Sequence, residues 1–289
     1  MIQLNIETLH HDFGARLTGT DLSDADIAQV RAAIDTYSVV CFADQDMTDD
    51  KQIAFTCRLG KPEAEHVTFG STGEIKYFGT VGNVDDDGAK RGNADAGTRY
   101  QTGNNLWHSD SSFRETPSYV SIVHAYEVPG EDGATEFVSM RAGYERLSEE
   151  KRQAIEPLHV LHDYVFSRSR VAPVNPNHAA SLPPVMHRLV RQNPANRRRN
   201  YFIGSHARSI PGWSGVDGRR LLDDLLTQAT EPDAIYAHQW QAGDTVIWDN
   251  RCILHRGTGY DADRWRRRMR QTRVVGAEKG VIPGVASSR

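Results

Sequence analysis

The sequence predicts a mainly β protein with helices packed on the outside, and three observations support this class. Short apolar or alternating runs recur between turns rich in glycine, asparagine and aspartate, as strands do. A few segments instead repeat their apolar residues at helical spacing and begin at a capping residue. The chain has 289 residues, 38 % of them hydrophobic, which is enough for a large core. We predict a single domain over residues 1–289.

The first sixty residues alternate between predicted strands and predicted helices. Residues 1–22 fit short strands around turns. Ser23 is the predicted N-cap of a first helix, because acidic residues and then apolar residues at helical spacing follow it. Residues 39–42 are expected to form a buried strand. Thr48 is expected to cap a second helix that stops at Gly60.

The middle of the chain has the clearest strand pattern. Residues 118–128 alternate between polar and apolar side chains, as in a strand. Residues 134–138 form a second predicted strand after a turn, so we predict a hairpin. Residues 141–155 predict two short helices, the second capped by Ser148. Residues 158–166 are expected to form another strand.

The C-terminal part predicts four strands and one amphipathic helix. The helix is predicted over residues 217–230, where four leucines share one face. Strands are predicted at residues 201–203, 245–248, 252–255 and 272–275.

Two irregular segments interrupt this order. Residues 62–105 and 168–199 are rich in polar and turn-forming residues, and long irregular stretches in a folded domain are often functional lids. We expect lid-like insertions at both places, although a plain surface loop fits residues 62–105 equally well. The basic run at residues 197–199 precedes a strand and is expected to be a solvated turn.

Composition and charge exclude several classes of protein. The net charge of −4 gives no overall basic surface for nucleic acid, and no apolar run approaches the ~18 residues of a membrane helix. Three widely spaced cysteines do not form a disulfide framework. The N-terminus lacks the basic and apolar regions of a signal peptide. We therefore expect a cytoplasmic protein without nucleic-acid or membrane partners. A homo-oligomer is compatible with the sequence.

The motif His108-Ser109-Asp110 is the first candidate for chemistry. Residues two apart on an extended segment point to the same face, so the imidazole of His108 and the carboxylate of Asp110 would converge. With a second histidine they would form a 2-His-1-carboxylate triad, which holds Fe(II) and leaves positions open for other ligands. A hydrogen-bonded His–Asp pair in a loop is the alternative for these residues taken alone.

His255 is the candidate second histidine. It ends an apolar run, where a histidine is often only a core residue, but an arginine-rich stretch and a strand follow it. A cosubstrate with two carboxylates needs a fixed cation, and the planar fork of arginine suits a carboxylate. An arginine about a dozen residues after His255 can supply that cation. A solvated face or nucleic-acid contact is the alternative for this run.

Four stretches, in order along nearly the whole chain, resemble one enzyme family. They are Leu106-Trp107-His108-Ser109-Asp110-Ser111-Ser112-Phe113, Gly133-Ala134-Thr135-Glu136-Phe137, Ile203-Gly204-Ser205-His206-Ala207 and Trp248-Asp249-Asn250-Arg251-Cys252-Ile253-Leu254-His255-Arg256-Gly257. The chain resembles the Fe(II)/2-oxoglutarate-dependent dioxygenases of the taurine and 2,4-dichlorophenoxyacetate dioxygenase family, and most of all its phenoxyalkanoate-degrading branch.

The resemblance implies a double-stranded β-helix (jelly roll) with helices outside. It implies that His108, Asp110 and His255 bind Fe(II), and that Thr135 and an arginine hold 2-oxoglutarate. Family spacing selects Arg266 for this arginine, whereas strand register selects Arg267, which we choose.

A second arginine of the family falls on Gln271 in this sequence. A neutral glutamine removes the cation expected for a further carboxylate contact, and Arg270 and Arg273 are candidates to replace it. The loop at residues 62–105, together with His206 and Arg208, supplies candidate substrate contacts.

The resemblance also implies the reaction and its cofactors. We predict hydroxylation of a small carboxylate by O2 and 2-oxoglutarate, with ascorbate as the reductant in assays. An aryloxyalkanoate such as 2,4-dichlorophenoxyacetate would be cleaved to a phenol and an oxo-acid. A sulfonate or other small-acid hydroxylase is the alternative within the family. Two alternatives lie outside the family. A zinc hydrolase would need a general base near the metal, and neither ligand motif contains a glutamate. A non-oxidative cupin-like protein would give the arginine after His255 no ligand to bind.

Overall fold

The computed structural model describes residues 5–65 and 76–283, which form fifteen strands and eight α-helices. The first part contains β1 (Asn5–Thr8), β2 (Ala15–Thr18), α1 (Ile27–Tyr37), β3 (Val39–Phe42), α2 (Asp49–Leu59), β4 (Gly79–Gly82) and α3 (Ala96–Gln101). The middle contains β5 (Ser118–Glu127), β6 (Thr135–Ser139), α4 (Met140–Glu145), α5 (Glu149–Ile155), β7 (His159–His162), α6 (Tyr164–Arg168) and α7 (Pro176–Ser181). The remainder contains β8 (Val185–Arg188), β9 (Val190–Gln192), β10 (Arg199–Tyr201), β11 (Ala207–Ser209), α8 (Gly215–Ala229), β12 (Tyr236–His238), β13 (Thr245–Asp249), β14 (Ile253–Gly257) and β15 (Arg268–Val275).

The strands form one large sheet and three small ones. The large sheet has seven strands in the order β1-β2-β3-β13-β5-β15-β4, and only β2 and β3 pair in parallel. One three-stranded sheet has the order β12-β6-β14. A second three-stranded sheet, β11-β7-β8, and the two-stranded sheet β10-β9 complete the pairing in the described residues. The expected mainly β character with flanking helices is therefore confirmed.

The large sheet lies between a helical layer and the sheet β12-β6-β14. Side chains alternate between its faces, as strand geometry requires. Val40 of β3 packs in a cluster with Phe55 of α2 on one face. Its neighbour Cys41 packs in another cluster, with Phe137 of β6 and Ile253 of β14, on the other face. The two sheets thus face each other, and a third apolar cluster joins the far side of the smaller sheet to α4 and α8.

Helix boundaries follow the capping side chains. Thr48 and Ser148 accept the predicted backbone hydrogen bonds at the starts of α2 and α5, and α2 ends at Gly60, so these predictions are confirmed. The predicted cap of the first helix at Ser23 is wrong. Instead, the carboxylate of Asp26 accepts a hydrogen bond from the amide of Ala28, and α1 begins at Ile27.

Four other predictions differ from the structure. The predicted hairpin of residues 118–128 and 134–138 does not form, because β5 pairs with β13 and β15 whereas β6 pairs with β12 and β14 in another sheet. The predicted strand at residues 158–166 is confirmed only as far as His162, because Asp163 then caps α6. Residues 168–199 are not irregular throughout, since they contain α7, β8 and β9. Part of the irregular segment 62–105 is also regular, because β4 pairs with β15, while residues 66–75 lie outside the described ranges. In the described part of the chain, no helix has the length and apolar character needed to cross a bilayer.

Candidate active site

A backbone bridge places His108 beside His255. The amide of His108 donates to the carbonyl oxygen of His255 at 3.0 Å, and the reverse bond measures 2.8 Å. The extended geometry expected from the sequence ends soon after this bridge. Asp110 lies in a turn, and the following Ser111 has a φ of 55°. The bridge and the turn together bring the two imidazoles and the carboxylate to one point.

The three side chains converge through atoms that can bind a metal. The Nε2 atoms of His108 and His255 lie 3.7 and 3.9 Å from Oδ1 of Asp110. The two imidazole rings lie 4.2 Å apart, centre to centre. The potential ligand atoms of the three residues are all within 4.8 Å of one another. This spacing is small enough for one ion to contact all three.

Hydrogen bonds orient His108 and Asp110 toward that point. Nδ1 of His108 donates to the carbonyl oxygen of Leu106 at 2.7 Å, which leaves the lone pair on Nε2. Oδ2 of Asp110 accepts from the Ser121 hydroxyl at 2.5 Å and from the Gln271 amide at 2.9 Å. Oδ1 of Asp110 therefore stays directed at the histidines. Supporting hydrogen bonds of this kind fix metal ligands in their binding orientation.

Burial and mutual charge set the protonation states. Burial, together with His108, lowers the pKa of His255 to about 3. Burial also lowers the pKa of His108. For Asp110, burial alone would raise the pKa, but His255, His108 and Arg273 outweigh it and lower the value to about 2. At neutral pH the site therefore offers two neutral imidazoles and one carboxylate, which is the protonation state that a divalent metal requires.

Thr135 and Arg267 lie at another part of the same cavity. Both line it together with the three candidate ligands. The Thr135 hydroxyl accepts from the indole of Trp240 at 2.9 Å, and Trp240 also lines the cavity. The structure thus brings together all five residues that the sequence analysis selected. Trp240 escaped that analysis, because a tryptophan in a turn carries no spacing signal.

Arg267 is a buried cation without a carboxylate partner among the described residues. Its side chain is 8 % exposed, and its Nε has no hydrogen-bond partner there. Burial lowers its pKa to about 10, which Tyr260 only partly offsets. A buried charge left unpaired is unfavourable, so an anionic ligand that reaches Arg267 is stabilised.

Arg266 faces away from this cavity. Its guanidinium pairs with Glu127 at 2.6 Å on the exposed side of the sheet. Both residues immediately precede β15, and their side chains leave the chain in different directions. The geometry therefore favours Arg267 over Arg266 as the residue available to a cosubstrate.

The chain matches the family described as taurine catabolism dioxygenase TauD, TfdA family, over residues 5–273. It belongs to the TauD/TfdA family. An α-ketoglutarate-dependent 2,4-dichlorophenoxyacetate dioxygenase from Burkholderia sp. (strain RASC) is 34 % identical over 98 % of both chains. An (S)-phenoxypropionate/α-ketoglutarate dioxygenase from Sphingobium herbicidovorans is 33 % identical over 94 % of this chain and 95 % of that one.

A solved structure is similar over the same length. The crystal structure of AAD-2 in complex with Mn(II) and N-oxalylglycine matches with a TM-score of 0.87 and 35 % identity, covering 97 % of this chain and 99 % of that chain. The predicted class of enzyme, a 2-oxoglutarate-dependent dioxygenase of the TauD/TfdA family, is confirmed by these likenesses.

This TauD/TfdA chain has a glutamine where a second arginine was expected. Gln271 lines the cavity, donates to Asp110 and accepts from Arg273 at 3.1 Å. Arg273 in turn pairs with Glu63 and Glu65 at 3.2 and 2.8 Å. Its charge is therefore already neutralised.

Arg270 does not compensate for the missing arginine either. It lies on the opposite face of β15, where it pairs with Asp49 at 2.8 Å and with Asp86. Neither Arg270 nor Arg273 is free to replace the missing cation.

The candidate substrate residues His206 and Arg208 lie in different environments. The His206 ring lies 6.4 Å from that of His108 and contacts the hydroxyl of Ser112. Arg208 is half exposed and pairs with Asp163 at 2.9 Å. Of the loop at residues 62–105, several residues from 81 to 105 line the cavity.

Proposed function

We propose that the protein is an Fe(II)- and 2-oxoglutarate-dependent dioxygenase that hydroxylates a small carboxylate, first of all an aryloxyalkanoate such as 2,4-dichlorophenoxyacetate. One observation carries the proposal. The unpaired, buried Arg267 opens into the same cavity as the convergent His108, Asp110 and His255. A metal site and a dicarboxylate site in one cavity suit a cosubstrate that binds both.

The donor set fits Fe(II). Two neutral imidazoles and one carboxylate form the triad used by non-haem iron oxygenases, and their ligand atoms are close enough for one ion. His108, Asp110 and His255 would hold the metal. When bound, Fe(II) and 2-oxoglutarate supply the oxidising chemistry, in which O2 and 2-oxoglutarate yield succinate, CO2 and a hydroxylated substrate.

The residues of the chain bind, orient and shield these reactants. Arg267 would pair with the distal carboxylate of 2-oxoglutarate, with the Thr135 hydroxyl as a second contact and Trp240 fixing that hydroxyl. The related structure of AAD-2, which holds Mn(II) and N-oxalylglycine, supports this arrangement. Gln271 and Ser121 keep the Asp110 carboxylate directed at the metal.

The names of the relatives support the substrate class. Two relatives at 33–34 % identity are named for aryloxyalkanoic acids. Hydroxylation of the carbon that bears the ether oxygen gives a hemiacetal or hemiketal. That adduct breaks its carbon–oxygen bond, and the hydroxyl proton passes to the leaving oxygen to yield a phenol and an oxo-acid.

We also infer the remaining architecture. The two facing sheets would form a double-stranded β-helix within one domain, and the likeness to TauD-fold structures supports this. The cavity-lining part of residues 62–105 would act as a lid, as would residues 168–199. A small anionic substrate and a cytoplasmic location are part of the same proposal.

Succinate release tests this function. The protein is incubated with Fe(II), ascorbate, 2-oxoglutarate and a panel of aryloxy acids, other carboxylates and taurine, and phenol and succinate are measured. Equal phenol and succinate from an aryloxy acid support the proposal. Turnover of taurine alone would establish the sulfonate alternative. Metal binding without succinate release from any of the acids would indicate the non-oxidative cupin-like alternative.

A further inference from the structure

We propose that Arg99 is the cation that binds the carboxylate of the substrate, at the opening of the cavity that holds the triad. This inference rests on the proposed function, which assigns Arg267 to the cosubstrate. Among the described residues, Arg99 and Arg267 are the only arginines or lysines that line this cavity. Residues 66–75, which lie outside the described ranges, contain neither lysine nor arginine. A second anion that enters the cavity can therefore pair with Arg99.

The charge balance of the cavity separates the roles of the two arginines. The two positive charges of Fe(II) and the one of Arg267 would balance Asp110 and the two carboxylates of 2-oxoglutarate. The two histidines add no charge, because a metal-binding imidazole is neutral. A substrate carboxylate would then bring one uncompensated negative charge into a partly enclosed site, which is unfavourable. Arg99 is the group in the cavity lining that can neutralise it.

The guanidinium of Arg99 is accessible and has no carboxylate partner among the described residues. Arg99 is exposed, and because it also lines the cavity, it lies at the cavity opening. Asp95, four residues earlier, is the partner that helical spacing would supply. Its Oδ1 instead accepts from the backbone amide of Thr98 at 3.0 Å and lies 3.9 Å from Nη1 of Arg91. The charge of Arg99 is therefore available to a ligand.

The helix that carries Arg99 is attached to the strand beside Arg267. Oε1 of Gln101, in the same helix α3, accepts from the backbone amide of Gly82 in β4 at 3.0 Å. The amide of the next residue, Asn83, donates to the carbonyl oxygen of Arg267 at 3.0 Å. Position 82 must be glycine for this approach, because a Cβ there would collide with that same carbonyl oxygen. Both arginines are thus held to the end of β4, and both line one cavity.

Arg99 is the one charged residue in a neutral stretch of the cavity wall. Thr98 and Thr102 line the cavity on either side of it, and residues 104–105 continue the lining toward His108. These neighbours can offer hydrogen bonds but no charge. An anion that lies along this stretch is therefore bound most favourably where it meets the guanidinium.

The type of cation indicates the type of ligand. The planar fork of arginine binds a carboxylate through two parallel hydrogen bonds, which a neutral alcohol of the same shape cannot form. Because the guanidinium is exposed, its interaction with an anion is also weakened by salt. A selective, salt-dependent preference for acids over neutral analogues is therefore the signature of this role. Sulfonates share the charge with carboxylates, so the experiment includes both.

Equilibrium binding tests the role of Arg99 without relying on turnover. Each Fe(II)-loaded protein is titrated under anaerobic conditions with 2-oxoglutarate. The complex with 2-oxoglutarate is then titrated calorimetrically with 2,4-dichlorophenoxyacetate, with the neutral analogue 2-(2,4-dichlorophenoxy)ethanol and with taurine. Low and high salt are compared.

The variants separate charge from structure. Arg99→Gln removes the charge and Arg99→Lys keeps it without the planar fork, and both replacements are good helix formers. Arg188→Gln is the matched control, because Arg188 is an exposed arginine at the end of β8 that lies outside the cavity lining. Thermal melting verifies that each variant is folded.

We expect Arg99→Gln to raise the Kd of the acid about 5- to 30-fold at low salt, as for an accessible charge-assisted contact. High salt should reduce this difference. The Kd values of the alcohol and of 2-oxoglutarate should stay within about twofold. Arg99→Lys should recover part of the loss, and Arg188→Gln should resemble the wild type.

Three results with the variants would overturn the inference. An unchanged Kd of the acid in Arg99→Gln would show that another group binds the carboxylate. Equal losses for acid and alcohol would restrict Arg99 to a role in the fold. A larger loss for 2-oxoglutarate than for the acid would assign Arg99 to the cosubstrate. The proposed function would survive each of these results, because succinate release tests it separately.

The wild type distinguishes failure of the substrate class from failure of this inference. If it binds taurine and not the aryloxy acid, the aryloxy proposal fails, and a selective loss of taurine binding in Arg99→Gln would still support Arg99 as the substrate cation. If it binds neither acid, the inference is overturned.

Discussion

Asn250 holds Asp110 in place from 140 residues away in the sequence. Its Oδ1 accepts the backbone amide proton of Asp110 at 3.1 Å. Its Nδ2 donates to the Ser121 hydroxyl at 2.8 Å, and that hydroxyl donates to the Asp110 carboxylate. The indole of Trp248 completes the set by donating to the same Oδ1 at 3.1 Å. The Trp-Asp-Asn-Arg stretch therefore acts on the candidate metal site through its asparagine.

Replacing Asn250 by alanine should weaken metal binding about 10- to 100-fold, the usual effect of losing a supporting hydrogen bond. The backbone amide of Asp110 and the Ser121 hydroxyl would lose their partner, so the carboxylate would rotate. Titration of the metal-free protein with Fe(II) or Mn(II) measures this. A variant with native metal affinity and altered melting temperature would restrict Asn250 to a role in folding.

Asp110→Ala should abolish turnover, because it removes the one carboxylate among the three candidate ligands. Succinate formation and bound iron after gel filtration are the measurements. Asp46→Ala is a suitable control, since that carboxylate is 93 % exposed and far from the cavity lining. Retention of iron and coupled turnover by Asp110→Ala would refute the assignment.

Arg267→Ala should raise the 2-oxoglutarate concentration needed for half-maximal rate by two or more orders of magnitude. Breaking a buried charge pair costs roughly 3–5 kcal/mol, which corresponds to a change of at least this size. Arg266→Ala provides the matched control, because its guanidinium pairs with Glu127 at the surface. A large effect in Arg266→Ala and none in Arg267→Ala would show that the register is displaced by one residue.

Stability should fall in acid partly because His187 is buried. Burial, with a smaller effect of Arg191, lowers its pKa from 6.5 to about 3. The folded state therefore binds this proton more weakly than the unfolded state. The stabilisation is complete above pH 6.5 and is lost as pH falls toward 3, at about 1.4 kcal/mol per pH unit.

Urea unfolding of the metal-free protein between pH 7.5 and 4.5 measures this dependence. His187→Asn should reduce the slope by one proton, whereas His159→Asn, at an exposed position of the neighbouring strand β7, should leave it unchanged. Identical slopes for all three proteins would contradict the prediction.

Local sequence signals predicted the parts of the fold that depend on local chemistry. Thr48 and Ser148 cap their helices as expected, because a hydroxyl followed by a helical apolar pattern suffices to start a helix. The start of the first helix was displaced from Ser23 to Asp26 since several acidic residues there can all act as caps. The end of β7 at His162 depends on the carboxylate of Asp163, which no alternation pattern records.

The candidate site divides in the same way. His108, Asp110, His255, Thr135 and Arg267 were selected from motifs and spacing, and they line one cavity. Their supports were not selected. Ser121 and Gln271 act on Asp110 from strands that are distant in sequence, and Trp240 acts on Thr135 from the turn between β12 and β13. Three-dimensional proximity of this kind leaves no periodic trace in a sequence.

The bridge between His108 and His255 also sets when the three candidate metal ligands can come together. The two bridged residues are separated by about half of the chain, so no fragment that ends before β14 contains all three. Closing so long a loop is unfavourable until the surrounding sheets have formed. A metal ion that needs all three side chains would therefore bind after these sheets have formed. Such an ion would meet a preformed site, in which coordination geometry as well as intrinsic affinity influences the choice among divalent metals.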